Sequence, residues 1–180
     1  MRNWGCICAA ISHTRWATHG EPSTQNSHPI TSGPTATFTV VHNGIITNFA
    51  KLKSFLEEEG ESFYTDTDTE VVAKLCAHLY ASLEESVPFP ELVMMVLRKL
   101  EGAYAILIQS IMYPGELVCC RKGSPVVLGL KDSAEASRRR FGSMRETQSQ
   151  CYGNDTLECF IASDDKAIIE HTRVRSSAAV

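Results

Sequence analysis

The run His13-Thr14-Arg15-Trp16-Ala17-Thr18-His19-Gly20 crowds hydrogen-bonding side chains more densely than a core element tolerates. Glu21-Pro22-Ser23 then stops any helix or strand from continuing, so the run reads as a loop shaped around a small polar ligand. Arg15 offers a planar fork that can hold a carboxylate in a bidentate, charge-assisted way. Further on, His42-Asn43-Gly44 supplies a side-chain NH2 (Asn43) and a backbone N–H (Gly44) that could aim at one point, the composition of an oxyanion hole. Asp68, within Thr65-Asp66-Thr67-Asp68-Thr69-Glu70, offers a countercharge for an ammonium group. Each residue also has a plainer reading. Arg15 alone fits a surface ion pair, Asn43-Gly44 a turn, and Asp68 a helix cap.

The elements that must position these groups follow from periodicity. Cys6 to Ile11 and Phe38 to Val41 read as short strands, the second ending at the Asn43-Gly44 turn. Asn48 is placed to cap a helix with Phe49, Leu52, Phe55 and Leu56 on one face, stopped by Gly60. Thr67-Asp68-Thr69-Glu70 has the spacing of a capping box opening a second helix, with Val72, Leu75, Cys76, Leu79, Tyr80 and Leu83 as its face. A third helix is expected from about Glu91 to Leu100. Strands then follow at Ala103 to Ile108, Leu117 to Cys120 and Val126 to Leu130, with a Pro114-Gly115 turn between. Residues 131–156 break the pattern and read as a mobile surface insertion. Cys159 to Thr172 reads as a strand running into a helix, and residues 173–180 as an unrelated tail. Helices between an early strand pair and a late antiparallel meander give an α+β layered domain.

Composition narrows the function classes. The 180 residues carry a formal charge of −4, which gives no electrostatic footprint for nucleic acid. No apolar run approaches the roughly 20 residues that span a bilayer, and no signal peptide is read. The seven cysteines (Cys6, Cys8, Cys76, Cys119, Cys120, Cys151, Cys159) form no C-x-x-C pair and read as reduced cytosolic thiols rather than zinc ligands. The histidine spacings match no metal site either. His13 and His42, at strand ends, read as core packing, and His78 and His171 as structural or exposed. Arg138-Arg139-Arg140-Phe141-Gly142-Ser143 makes Ser143 a candidate phosphorylation site, weighed against a solvated charge run with an ordinary serine.

Taken in order, the Arg15 loop, His42-Asn43-Gly44-Ile45-Ile46 and Thr65 to Glu70 closely resemble the glutaminase (class II glutamine amidotransferase) domain of the glutamine–fructose-6-phosphate aminotransferases. Those isomerizing enzymes move the glutamine amide nitrogen to fructose 6-phosphate, making glucosamine 6-phosphate for UDP-N-acetylglucosamine synthesis. The resemblance implies the four-layer αββα sandwich of N-terminal-nucleophile hydrolases, over residues 1–172. It assigns Arg15 and Asp68 to the α-carboxylate and α-ammonium of glutamine, Asn43 and Gly44 to the oxyanion hole, and Trp16, Thr18 and His19 to the loop closing over the substrate. It further implies a cytoplasmic setting, full-length amidotransferase subunits as partners, and neither cofactor nor metal.

In that family a free N-terminal cysteine attacks the amide, with its own α-amino group as base. The first residue here is Met1, while Cys6 and Cys8 fall in the strand leading into the Arg15 loop. The expectation is therefore a domain truncated at both ends, without its first strand or the sugar isomerase domain, and inactive alone. Two other readings stand beside it: a non-catalytic glutamine-binding or regulatory fragment, and a related class II amidotransferase of the phosphoribosyl-amine or glutamate-synthase type. The Trp16-Ala17-Thr18-His19-Gly20 loop argues against the last.

Overall fold

A computed structural model describes residues 9–14, 20–132, 156–172 and 174–176. The chain divides into two compact units, Met1–Ser124 and Pro125–Val180. In the first, strands β1 (Ile30–Thr31), β2 (Phe38–Ile46), β3 (Gly102–Ser110) and β4 (Leu117–Lys122) form an antiparallel sheet in the order β1-β2-β3-β4. β2 and β3 are its backbone, paired without a break from Phe38 opposite Ser110 to Ile46 opposite Gly102. Period-two alternation explains β3, in which Tyr104, Ile106 and Ile108 are buried on one face.

Helices α1 (Phe49–Glu58), α2 (Thr69–Ser82) and α3 (Phe89–Leu97) accompany this sheet, with α2 against β1 and β2 and in contact with both α1 and α3. The first two turns of α2, Thr69 to Cys76, are buried all round, so its amphipathic face is only part of what it packs. An aromatic cluster closes the core between helices and sheet. Phe89 stacks on Tyr113 at 4.6 Å, Tyr80 meets Tyr113 edge-on at 5.9 Å, and the Tyr113 hydroxyl donates to the Val87 carbonyl at 3.0 Å. Burying side chains of this size contributes about 1.5–3 kcal/mol each.

Three local expectations change. Asn43-Gly44 is no turn but lies inside the nine-residue β2, because β3 supplies a partner along its whole length. Asn48 sits at the start of α1 without capping it. Its side chain instead donates to Lys99 O at 2.9 Å and accepts from Glu101 N at 3.0 Å, tying α1 to the entrance of β3. Of the expected strand Cys6 to Ile11, residues 1–8 lie outside the described residues, and Ala9 to Ile11 are irregular.

The second unit holds β5 (Val127–Asp132), β6 (Thr156–Ala162) and β7 (Val174–Ser176), antiparallel in the order β6-β5-β7. The expected insertion thus gives its ends, Lys131, Asp132 and Thr156, to strands, and residues 133–155, with Ser143, lie outside the described residues. Part of the expected tail forms β7. The helix expected after β6 is only a 3₁₀ turn, Asp165–Ala167. The Asp164 carboxylate accepts from Lys166 N at 2.9 Å and closes a tight local turn, while β-branched Ile168 and Ile169 follow where a helix needs to propagate.

Candidate functional site

The strand half of the site is made by close backbone approach. Asn43 is half-buried and Gly44 exposed on β2, opposite Ala105 and Tyr104. Gly44 has φ of +122°, and a Cβ there would stand 2.1 Å from Ala103 O. Gly102, opposite Ile46, repeats the arrangement with the same φ and a 2.1 Å approach to Ile45 O. Only glycine meets both demands, so two glycines let the strands close tightly around the Asn43-Gly44 step. The Asn43 Oδ1 is hydrogen-bonded to His13 Nε2.

The turn half is made by charge. Asp68 precedes α2 and is buried at 4% exposure. Its Oδ2 accepts from Ile46 N at 2.8 Å, which ties it to the strand that carries Asn43 and Gly44. Its Oδ1 lies 3.8 Å from His42 Nδ1. The expected capping box does not form. Glu70 reaches past the cap, its carboxylate accepting from Tyr64 N at 3.0 Å and from Thr65 N at 2.7 Å. One turn on, Lys74 is buried between Glu70, at 3.8 Å, and Glu61, at 3.2 Å, and donates to Ser32 O at 3.2 Å. Its ammonium also lies over the Phe63 and Tyr64 rings. Segment 61–67 is thereby fixed ahead of Asp68.

Between the halves stands a cluster that the sequence did not reveal. Thr69 Oγ1 is 3.0 Å from His42 Nδ1 and 2.9 Å from His28 Nε2, and the His28 ring lies 4.5 Å from that of His13. His13 and His42 were expected as core packing; they meet polar partners beside Asn43 and Asp68 instead. No spacing signal could have gathered positions 13, 28, 42 and 69, because a sheet and a helix entrance bring them together. A second missed residue is Asn26, buried at 3% exposure. It donates to Glu21 O at 3.0 Å and accepts from Asp66 N at 2.9 Å, so the chain beyond Gly20 is tied to the turn before Asp68.

Arg15, Trp16, Thr18 and His19 lie outside the described residues; Asn43, Gly44 and Asp68 lie within them and are brought together. Among the described residues no group of three His, Cys, Asp or Glu side chains could hold a metal ion, and no helix is long and apolar enough to cross a membrane. Among the described residues, Cys76, Cys119, Cys120 and Cys159 form no disulfide. Burial pushes the Cys76 thiol far up and that of Cys120 up to about 12, which keeps both protonated and poor as nucleophiles.

Comparison with known proteins shows the family. Residues 13–143 match the glutamine amidotransferase domain family. The chain is 45% identical to glutamine–fructose-6-phosphate aminotransferase (isomerizing) 1 of Arabidopsis thaliana over 92% of its length, covering 25% of that protein. It is 41% identical to the human isomerizing aminotransferase 2, over 90% of this chain and 27% of that one. It thus spans about a quarter of these relatives. Among solved structures, the glutamine phosphoribosylpyrophosphate amidotransferase of B. subtilis matches with a TM-score of 0.56 and 24% identity, over 87% of this chain and 28% of that one. That likeness shows the fold alone, and the fold class is that of the N-terminal-nucleophile hydrolases.

Proposed function

Since this chain belongs to the glutamine amidotransferase domain family, we propose that it binds L-glutamine across Asn43, Gly44 and Asp68, as the glutamine-hydrolysing part of a glutamine–fructose-6-phosphate aminotransferase. The observation that carries the reading is the hydrogen bond from Ile46 N to Asp68 Oδ2, 2.8 Å long. It sets a buried anion two residues along the strand from the Asn43-Gly44 step. An amide substrate with an α-ammonium group can then meet a countercharge at one end and hydrogen-bond donors at the other.

Attack on the amide carbon moves charge onto its oxygen, where Asn43 Nδ2–H and Gly44 N–H stabilise it. Arg15 holds the α-carboxylate through its fork, and Trp16, Thr18 and His19 close over the substrate. In the family resemblance the attacking group is an N-terminal cysteine. The nitrogen released goes to fructose 6-phosphate in the complete enzyme, whose subunits are the expected partners, in the cytoplasm. Identities of 41–45% to aminotransferases of this kind support this acceptor.

Isothermal titration with L-glutamine tests the binding. Asp68→Asn and Arg15→Ala should each weaken it by about 2–3 kcal/mol, because a charged ligand group loses its partner in a closed site. Unchanged affinity in both variants would overturn the assignment.

A further inference from the structure

We propose that His13 is a positioning residue for Asn43: its Nε2–H donates to Asn43 Oδ1 and so leaves the Asn43 NH2 as the end that faces substrate. The proposal rests on the glutamine-site reading above. A carboxamide has a donor end and an acceptor end of nearly the same shape, and only the donor end stabilises an oxyanion. The contact that tells the two ends apart is the His13 ring, which meets Oδ1 from a residue thirty positions away.

The direction of that hydrogen bond follows from its acceptor. A carboxamide oxygen carries no proton and can only accept, so the ring nitrogen that meets it is the protonated one, the tautomer with its proton on Nε2. His13 Nδ1 is buried and has no hydrogen-bond partner among the described residues. The ring is held in place as well. It lies against His28 with centroids 4.5 Å apart and planes inclined at 55°. His28 is tied in turn to Thr69 Oγ1, which also meets His42 beside Asp68. His13 therefore acts through Asn43, and its own anchor is shared with the turn half of the site.

Nuclear magnetic resonance on the 15N-labelled chain tests this. Long-range imidazole correlations should show His13 protonated on Nε2; a His13 protonated on Nδ1 overturns the proposal, with no variant needed. The Asn43 NH2 signals, assigned by their loss in Asn43→Asp, are next followed as L-glutamine is added, and they should shift together with the Gly44 amide. In His13→Phe, which keeps a ring against His28 but cannot donate, the Gly44 shift should persist and the Asn43 response should be lost. His13→Gln, whose amide can donate, should restore it. An unchanged Asn43 response in His13→Phe overturns the proposal, and so does a response that His13→Gln fails to restore. Absence of any glutamine shift in the unaltered chain counts against the glutamine-site reading instead, while the tautomer measurement still decides the hydrogen bond.

Discussion

Asn43 and Gly44 sit inside a strand pair, and Asp68 sits at a helix entrance behind buried charges; the two halves of the proposed site are fixed by different physics. At the strand, the Gly44 and Gly102 backbones come so close to their neighbours that a single methyl group collides with a carbonyl oxygen. At the turn, a buried carboxylate accepts from two loop amides and a buried ammonium holds that carboxylate from the other side. The strand half is set by close backbone approach, and the turn half by buried charge. Joining them, the Asp68 carboxylate grips the strand through one backbone amide.

Breaking the turn half should cost most. Glu70→Ala removes the acceptor for Tyr64 N and Thr65 N and leaves Lys74, 2% exposed, with the partly exposed Glu61 as its remaining carboxylate partner. Loss of one member of a buried pair costs about 3–5 kcal/mol. Urea denaturation should therefore show a fall of that size, and a loss below about 1 kcal/mol would mean that the loop is held otherwise. Gly44→Ala is the matching test of the strand half. Positive φ and the collision with Ala103 O together predict a loss of about 2 kcal/mol, with a lost glutamine response. A fully stable Gly44→Ala chain would show that the strands can part, and that the close approach is not what fixes Asn43.

The two halves also differ in how legible they were. Asn43, Gly44 and Asp68 stand out in the sequence because their residue types suit the chemistry. Their surroundings did not, since Asn43-Gly44 has the local signature of a turn and only the nine-residue partner β3 makes it a strand. Glu70 was visible at the spacing of a capping box, yet its partners lie upstream of that box and depend on how segment 61–67 folds back. The helix faces were readable only in part: Leu56 is buried as its period predicts, but Phe55, expected on the same face of α1, is 41% exposed, and the start of α2 is buried all round. The histidine cluster was not readable at all, because its contacts join positions up to 41 residues apart, as from His28 to Thr69.

A smaller effect is expected where the halves are merely tied together. Asn26→Ala removes the acceptor for Asp66 N and the donor to Glu21 O. The fall in stability should be about 1 kcal/mol. Glutamine affinity should fall with it, since Gly20 leaves the predicted closing loop and lies against Asn26 and Asp66. If affinity holds while stability drops, the tie serves the fold and not the site.

The smallest effect belongs to a pair with the same helical spacing as Glu70 and Lys74. Lys53 and Glu57 are also four residues apart, with their charged atoms 4.0 Å apart, but their side chains are 37% and 49% exposed. Water already solvates both groups well, so pairing them replaces little, and holding two long side chains in one geometry costs rotamer freedom. Lys53→Gln should change stability by less than about 0.5 kcal/mol, and that small change should shrink further in added salt. Lys53 also lies over the Phe63 ring at 5.0 Å; Gln keeps two of the four stem methylenes and loses the cation, so a somewhat larger change that salt does not shrink reports that ring contact rather than the pair. Should Lys53→Gln cost as much as Glu70→Ala, spacing rather than burial would be the source of the strength, and the contrast between the two halves would lose its physical basis.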